Sequence, residues 1–308
     1  MATVISLGVA VQDFVFSVDE IPTQAQKYRA NNFALSGGGC AATAAVAVAR
    51  LGGISNLISR LGNDFTADII VKDLEDDGVG CSGVKRFDGL MSPMSAVMVD
   101  HSGERMIMGF RDDGIPTDPS FVGDCFGPTT DAVLADSRWA EGAVHLFELA
   151  NAENIPAVFD GEMPFGDIER VAVDLSTHPV FSAQGLREYA ESDNLLAGLL
   201  TASANRDGRW TAVTDGQNGV FVAQGGAVQR LPGFSIDVVD TLGAGDVWHG
   251  AFTLALAEGQ NEEQALAFAS GAAALKCTAF GGRKGTPTRA ALNNFLANHT
   301  TRMEPISS

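Results

Sequence analysis

The residues best suited to chemistry stand in one short stretch, Asp240-Thr241-Leu242-Gly243-Ala244-Gly245-Asp246. Before it, Phe234 to Val239 has the alternating, β-branched character of a short strand. After it, Val247 to Glu258 is apolar at helical spacing, so the glycines are expected where a strand hands over to a helix. Free amides of Gly243, Ala244 and Gly245 at a helix N-terminus form an anion site. Asp246, in the first turn, places a base beside it. Phosphoryl transfer needs that pair: the base takes the proton of an attacking hydroxyl and the amides hold charge on the transferring group. A plainer reading remains open for the Gly-Ala-Gly-Asp alone, a tight turn with a dipole-favoured charge.

The chain that must position these residues has 308 of them, 45% apolar and 19% charged, which is ample for a core. A net charge of −18 and a pI near 4.5 disfavour nucleic acid and anionic membrane as partners. Lysines are few (Lys27, Lys72, Lys85, Lys276, Lys284), so a cation beside a motif is informative. The 4 cysteines lack a C-x-x-C pair and read as reduced thiols of a cytoplasmic protein, mostly small core residues. The 5 histidines show no metal-ligand spacing, and no residue is assigned to a metal. The N-terminus enters a strand directly, without the pattern of a signal peptide, and no stretch reads as a membrane span.

Val4 to Ala10 reads as a buried first strand with Asp13 just past its end, where open α/β sheets place ligands; alone, Asp13 is equally a turn residue. Segments at about 14–35, with Lys27, and at 94–110 carry four short strands, the last two joined at His101-Ser102-Gly103. Coming from two places in the chain, they predict a small β lid over one α/β domain spanning residues 1–308, with a second subunit's lid as its partner in a homodimer. Ser36-Gly37-Gly38-Gly39 leads into an Ala-rich helix, without the spacing of a dinucleotide fingerprint or a P-loop. Later, strands are expected at 57–62, 132–136, 157–161, 171–173, 178–182 and 211–214, with a hairpin at 220–230 and helices at about 66–76, 185–190 and 263–277.

Asp240-Thr241-x-Gly243-Ala244-Gly245-Asp246, with Gly250-Ala251 beyond, resembles the second signature of the PfkB, or ribokinase-like, sugar kinases. Gly37-Gly38 through Leu51-Gly52 resembles the first, with Ala42 where the family has asparagine. The resemblance covers essentially the whole chain. It implies a three-layer α/β/α sandwich with a mostly parallel sheet, and an enzyme moving the γ-phosphoryl of ATP to a primary hydroxyl of a sugar. ATP and Mg2+ are implied, with K+ a candidate monovalent ion. Gly37, Gly38, Gly39 and Thr43 would lie against the sugar. Thr214, Gly216, Gly219, Ser270, Ala273, Gly281 and Gly282 would surround the nucleotide.

Further pieces, among them Val133-Leu134-Ala135-Asp136-x-Arg138-Trp139 and Gly281-Gly282-Arg283, are similar to the sulfofructose kinase branch. That likeness implies Asp13 on sugar hydroxyls and Lys27 and Arg138 on a sulfonate. Gly109 stands where the branch has a substrate-touching asparagine, with Arg111 beside it to compensate. Ser182-Ala183-Gln184-Gly185 stands where many relatives carry the N-x-x-E that orients magnesium. An anionic ketose such as 6-deoxy-6-sulfofructose is the expected substrate. The rivals are a neutral ketohexose or another acidic sugar, and a silent sugar or nucleotide sensor.

Overall fold

The computed structural model describes residues 1–101 and 104–306. The first half runs β1 (Thr3–Leu7), β2 (Val11–Ser17), β3 (Asn32–Gly38), α1 (Cys40–Arg50), β4 (Ile54–Gly62), α2 (Phe65–Asp76), β5 (Val79–Phe87), β6 (Met94–Val99), β7 (Arg105–Phe110), the short α3 (Val122–Cys125) and β8 (Ala132–Asp136). Then come α4 (Ala140–Ala152), β9 (Ala157–Gly161), α5 (Asp167–Leu175), β10 (His178–Ser182), α6 (Ala183–Ala190), α7 (Leu195–Ala204) and β11 (Thr211–Thr214). The chain closes with β12 (Val220–Gln224), β13 (Ala227–Leu231), α8 (Ala244–Ala257), α9 (Glu262–Cys277), α10 (Arg289–Asn298) and β14 (Glu304–Pro305). Side-chain oxygens of Asp64, Ser182, Asn194, Asn261 and Thr288 each accept an amide at the start of a helix, as helix N-caps do.

Ten strands form one sheet in the order β14-β13-β12-β11-β10-β9-β8-β1-β4-β5, parallel from β11 to β5. A period of two distributes its side chains. Val4, Leu134, Val158 and Val180 join the layer of α1, α8 and α9, while Ile5, Val133, Phe159 and Phe181 join that of α4 to α7. The result is the expected α/β/α sandwich. Strand order turns back at β1, with β4 on one side and β8 on the other, and ligands of such sheets bind beyond the strand ends at that switch. A smaller separate sheet, β3-β2-β6-β7, draws its strands from residues 11–38 and 94–110; the turn at Ser102 and Gly103 lies outside the described residues. Among the described residues no helix is long and apolar enough to cross a membrane.

Two local expectations fail. Residues 171–173 are the middle of α5, because a three-residue apolar run fits either period and the capping of Gly166 by Glu169 starts a helix. Residues 234–239 form no strand, and Val238 and Val239 are 61% and 59% exposed. Their backbone instead turns to α9, where the N–H groups of Val239 and Asp240 both donate to the Cys277 carbonyl.

The two glycine loops meet because α1 and α8 cross at very short range. A Cβ on Gly250 would sit 2.3 Å from the Ala44 carbonyl oxygen, and the α1 face is almost all alanine. Close-packed interiors give little at such a contact. Gly250→Ala is therefore expected to cost about 1–3 kcal/mol, read as a lower urea midpoint, and Gly250→Val more. An unchanged midpoint in both variants would remove this crossing as a constraint.

Candidate active site

Gly243 caps α8 in the left-handed region at φ 77, a conformation glycine adopts without strain. No side chain caps this helix, so its first amides lack intrahelical partners. The Ala244 N–H turns to the Thr241 carbonyl at 3.2 Å, which leaves Gly245 the more open donor of the expected trio. Beside it opens a cavity of about 910 Å³. Thr214, Gly216, Gly219, Ser270 and Ala273 line it together with Ala244 and Gly245. Trp248 also lines it, donating its indole N–H to Ser270 at 3.2 Å. The volume and the glycine-lined walls suit a nucleotide whose phosphates reach the helix N-terminus.

Asp246 faces a cluster in which Asp160 is buried and Cys40, like Asp246 itself, is half-buried. Cys40 at the start of α1, Asp160 at the end of β9 and Asp246 bring their ligand atoms within 4.8 Å of one another. Burial, then the adjacent Asp160 carboxyl, pushes Asp246 up to about 7, against His249 and a hydrogen bond with Cys40. Burial holds Cys40 as a thiol and raises Asp160 well above the carboxylate range, with Glu162 and Asp136 adding to that rise. A thiol and a raised carboxyl make a poor cage for a divalent ion, which prefers ionised oxygens. Asp136, although raised by burial, is tied down by the amides of Val9, Ala41 and Arg138. Asp246 thus carries a carboxyl raised toward neutral pH beside the open Gly245 amide.

On the lid side, Asp13 accepts a 2.5 Å hydrogen bond from Ser95, and Gly38 lies so close that a Cβ there would touch its carboxylate. Ser95 pairs with Gly109 across the lid, where a Cβ would meet nothing within 4 Å. Thr43 is buried with its methyl 3.4 Å from a Cβ built on Gly243, so the first glycine loop does adjoin the anion hole. Gly39 opens α1 as its N-cap, and a Cβ on Gly37 would strike the buried guanidinium of Arg283, which pairs with Asp73.

A second cavity of about 90 Å³ lies at the β1/β8 switch, lined by Gly8, Val9, Arg60, Arg111 and Arg138 among others. Arg138 donates to the Met163 carbonyl at 2.9 Å, and Arg111 to the Arg138 carbonyl at 3.2 Å. Arg60 lies over the Trp139 ring at 4.2 Å, with burial and then Arg111 lowering its pKa to about 10. Lys27, exposed on the segment before β3, is not among this cavity's lining residues. Sequence reasoning missed Arg60. Its partners come from other elements, and a lone arginine in a strand carries no signal by spacing.

Gly281 and Gly282 are likewise not among the lining residues of the nucleotide cavity. Their amides both donate to Asp240 at 3.1 Å, as Leu242 does at 2.9 Å, while Lys276 places its ammonium 3.3 Å away. Burial opposes ionisation of Asp240, but the amides and Lys276 prevail and bring it down to about 2. One carboxylate therefore binds the motif loop to the loop after α9.

A family model described as pfkB family carbohydrate kinase matches residues 1–289. The ribokinase of Bacillus subtilis is 26% identical over 96% of this chain and 100% of its own length. The ATP-dependent ribose-1-phosphate kinase of Halopiger xanaduensis is 28% identical over 96% and 99%. Among solved structures, a ribokinase-like protein of Agrobacterium tumefaciens superposes with a TM-score of 0.88 at 32% identity, covering 96% of this chain and 98% of that one. Arabidopsis thaliana ribokinase, complexed with ribose and ATP, gives 0.83 at 21% over 96% and 98%, a likeness of fold.

Removing the Asp240 carboxylate strips a buried ammonium of its counter-charge and two glycine amides of their acceptor. Asp240→Ala should destabilise the protein by about 3–5 kcal/mol in chemical denaturation. A loss under about 1 kcal/mol, the range of a surface pair, would mean that the carboxylate holds nothing.

Proposed function

The chain belongs to the PfkB family of carbohydrate kinases, and from that premise we propose that it phosphorylates a primary hydroxyl of an anionic ketose, with 6-deoxy-6-sulfofructose the favoured member of that class. It is an ATP-dependent carbohydrate kinase. The finer reading rests on one observation. Arg60, Arg111 and Arg138 meet at one cavity, beside Asp112 and Asp113, in a chain of net charge −18. Guanidinium groups suit sulfonates, phosphates and carboxylates because their donors match the oxygens' geometry. The Halopiger relative, named for a sugar phosphate, points the same way, whereas Lys27 stands exposed and away from this cavity's lining.

In this reading Asp13 orders the sugar hydroxyls, with Ser95 fixing its carboxylate. Asp246 accepts the proton of the attacking hydroxyl, and the amides around Gly245 steady the transferring phosphoryl. Mg2+ enters with ATP as part of the substrate, neutralising its phosphates, and K+ remains a candidate monovalent ion. The lid shuts out water that would otherwise take the phosphoryl. A neutral sugar is the second reading, favoured by the ribokinase relative and by the engagement of Arg138 with the Met163 carbonyl. We place the enzyme in the cytoplasm, which suits four free thiols. The lid exposes Phe33, Leu35, Met106, Met108 and Phe110 on one side, an apolar face suited to a second copy and so to a homodimer.

Release of ADP should be faster with sulfofructose than with fructose, ribose or fructose 6-phosphate. Arg60→Ala and Arg138→Ala should raise KM for the sugar about tenfold or more, as loss of charged hydrogen bonds does. Equal turnover of fructose with unmoved KM would favour the neutral reading. Asp246→Asn should lower kcat about 10²–10⁴-fold. Because a base raised to about 7 is protonated below that value, kcat/KM should fall as pH drops through 7; a limb near 4 would contradict it. Analytical ultracentrifugation should give a dimer that Met108→Asp converts to monomer, while a wild-type monomer would remove the lid interface.

A further inference from the structure

His249 stands one turn after Gly245 on α8 and is 3% exposed. Its Nδ1 lies 2.9 Å from the Gly245 carbonyl oxygen. Its Nε2 lies 3.4 Å from the Val180 carbonyl oxygen and 3.5 Å from Oδ1 of Asp160, itself 4% exposed. Both ring nitrogens therefore face oxygens, yet a neutral imidazole has one N–H. Placed at the shorter contact, that N–H sits on Nδ1 and leaves Nε2 with a lone pair facing Asp160 and, at 3.4 Å, the Val180 carbonyl. Against an ionised Asp160 that lone pair would meet another. The contact becomes a bond when the Asp160 carboxyl keeps its proton.

We propose that Asp160 is a positioning residue of the phosphoryl-transfer site, donating as a neutral carboxylic acid to Nε2 of His249, whose Nδ1–H then braces the Gly245 carbonyl and the turn that carries Asp246. The inference rests on Asp246 as the base and on no choice of sugar.

The surrounding groups agree. Burial drives Asp160 toward its neutral form, Glu162 and Asp136 push the same way, and Arg138 alone opposes. Burial lowers His249, against the Gly245 and Val180 carbonyls, Asp246 and Glu162. The two shifts together favour a neutral pair over an imidazolium–carboxylate pair. Around Asp246 stand Asp160, His249, Cys40 and Asp136. With the proton on Asp160, Asp246 carries the one charge of the Asp160–Asp246 pair and can ionise to act as base. A neutral Asp160 also adds no repulsion to the phosphoryl arriving at Gly245.

The test compares Asp160→Ala with Asp160→Asn, since an asparagine N–H can donate to Nε2 without any charge. Asp160→Ala should lower kcat about tenfold or more, the scale of a lost buried hydrogen bond, and asparagine should restore most of the loss with the wild-type acid limb. Asparagine as poor as alanine, or an acid limb moved well below the wild-type one, would show that Asp160 works as an anion and overturn the proposal. Should either variant fail to fold, ¹⁵N NMR of the His249 ring in the wild-type protein decides without any activity. A neutral Nδ1–H tautomer at pH 7 is expected, and an Nε2–H tautomer or an imidazolium would refute it.

Discussion

The site depends on two helices starting in the same place. α1 and α8 cross where Gly250 meets the Ala44 carbonyl, and the missing side chain permits that separation. Both N-termini then open toward one crevice, the glycine loop of α1 on the sugar side and that of α8 on the phosphoryl side. Their dipoles add there, although the α1 amides of Ala41, Ala42 and Thr43 are taken by Asp136 and the Val9 and Gly39 carbonyls, which leaves Gly245 of α8 the more open donor. A wider crossing would part Thr43 from Gly243 and Cys40 from Asp246.

A chain of net charge −18 must gather carboxylates at that crevice without driving it apart. Each is held differently. Asp136 is fixed by three backbone amides, and Asp240 by amides and the Lys276 ammonium. Asp246, half-buried and only lightly compensated, has its affinity for a proton raised toward neutral pH. At the β1/β8 switch three arginines line the smaller cavity together with Asp112 and Asp113.

The most legible features were local in the chain. The Gly-Ala-Gly-Asp turn, the lid strands at 94–99 and 105–110 and the buried strands at 132–136 and 157–161 each carry their signal in consecutive residues. Residues 234–239 looked equally strand-like but found no strand partner, because the chain there must run along α9 to reach Gly243. β5, α4, α7 and α10 went unread. Thr214, Gly216, Gly219, Ser270 and Ala273, expected around a nucleotide, share the wall of one cavity, whereas Gly281 and Gly282 turn their amides to Asp240. Arg60, Cys40 and the Asp160–His249 contact were out of reach, since each gains meaning from a neighbour distant in sequence.

The central claim is that this site moves a phosphoryl group from ATP to a primary alcohol of a sugar. Proton-coupled ³¹P NMR of the reaction with Mg-ATP and sulfofructose tests it most directly. The account predicts a new monoester resonance split by the two protons of a CH2–O–P group, growing in step with ADP. Inorganic phosphate as the sole new resonance, or a monoester split by a single CH proton, would contradict it.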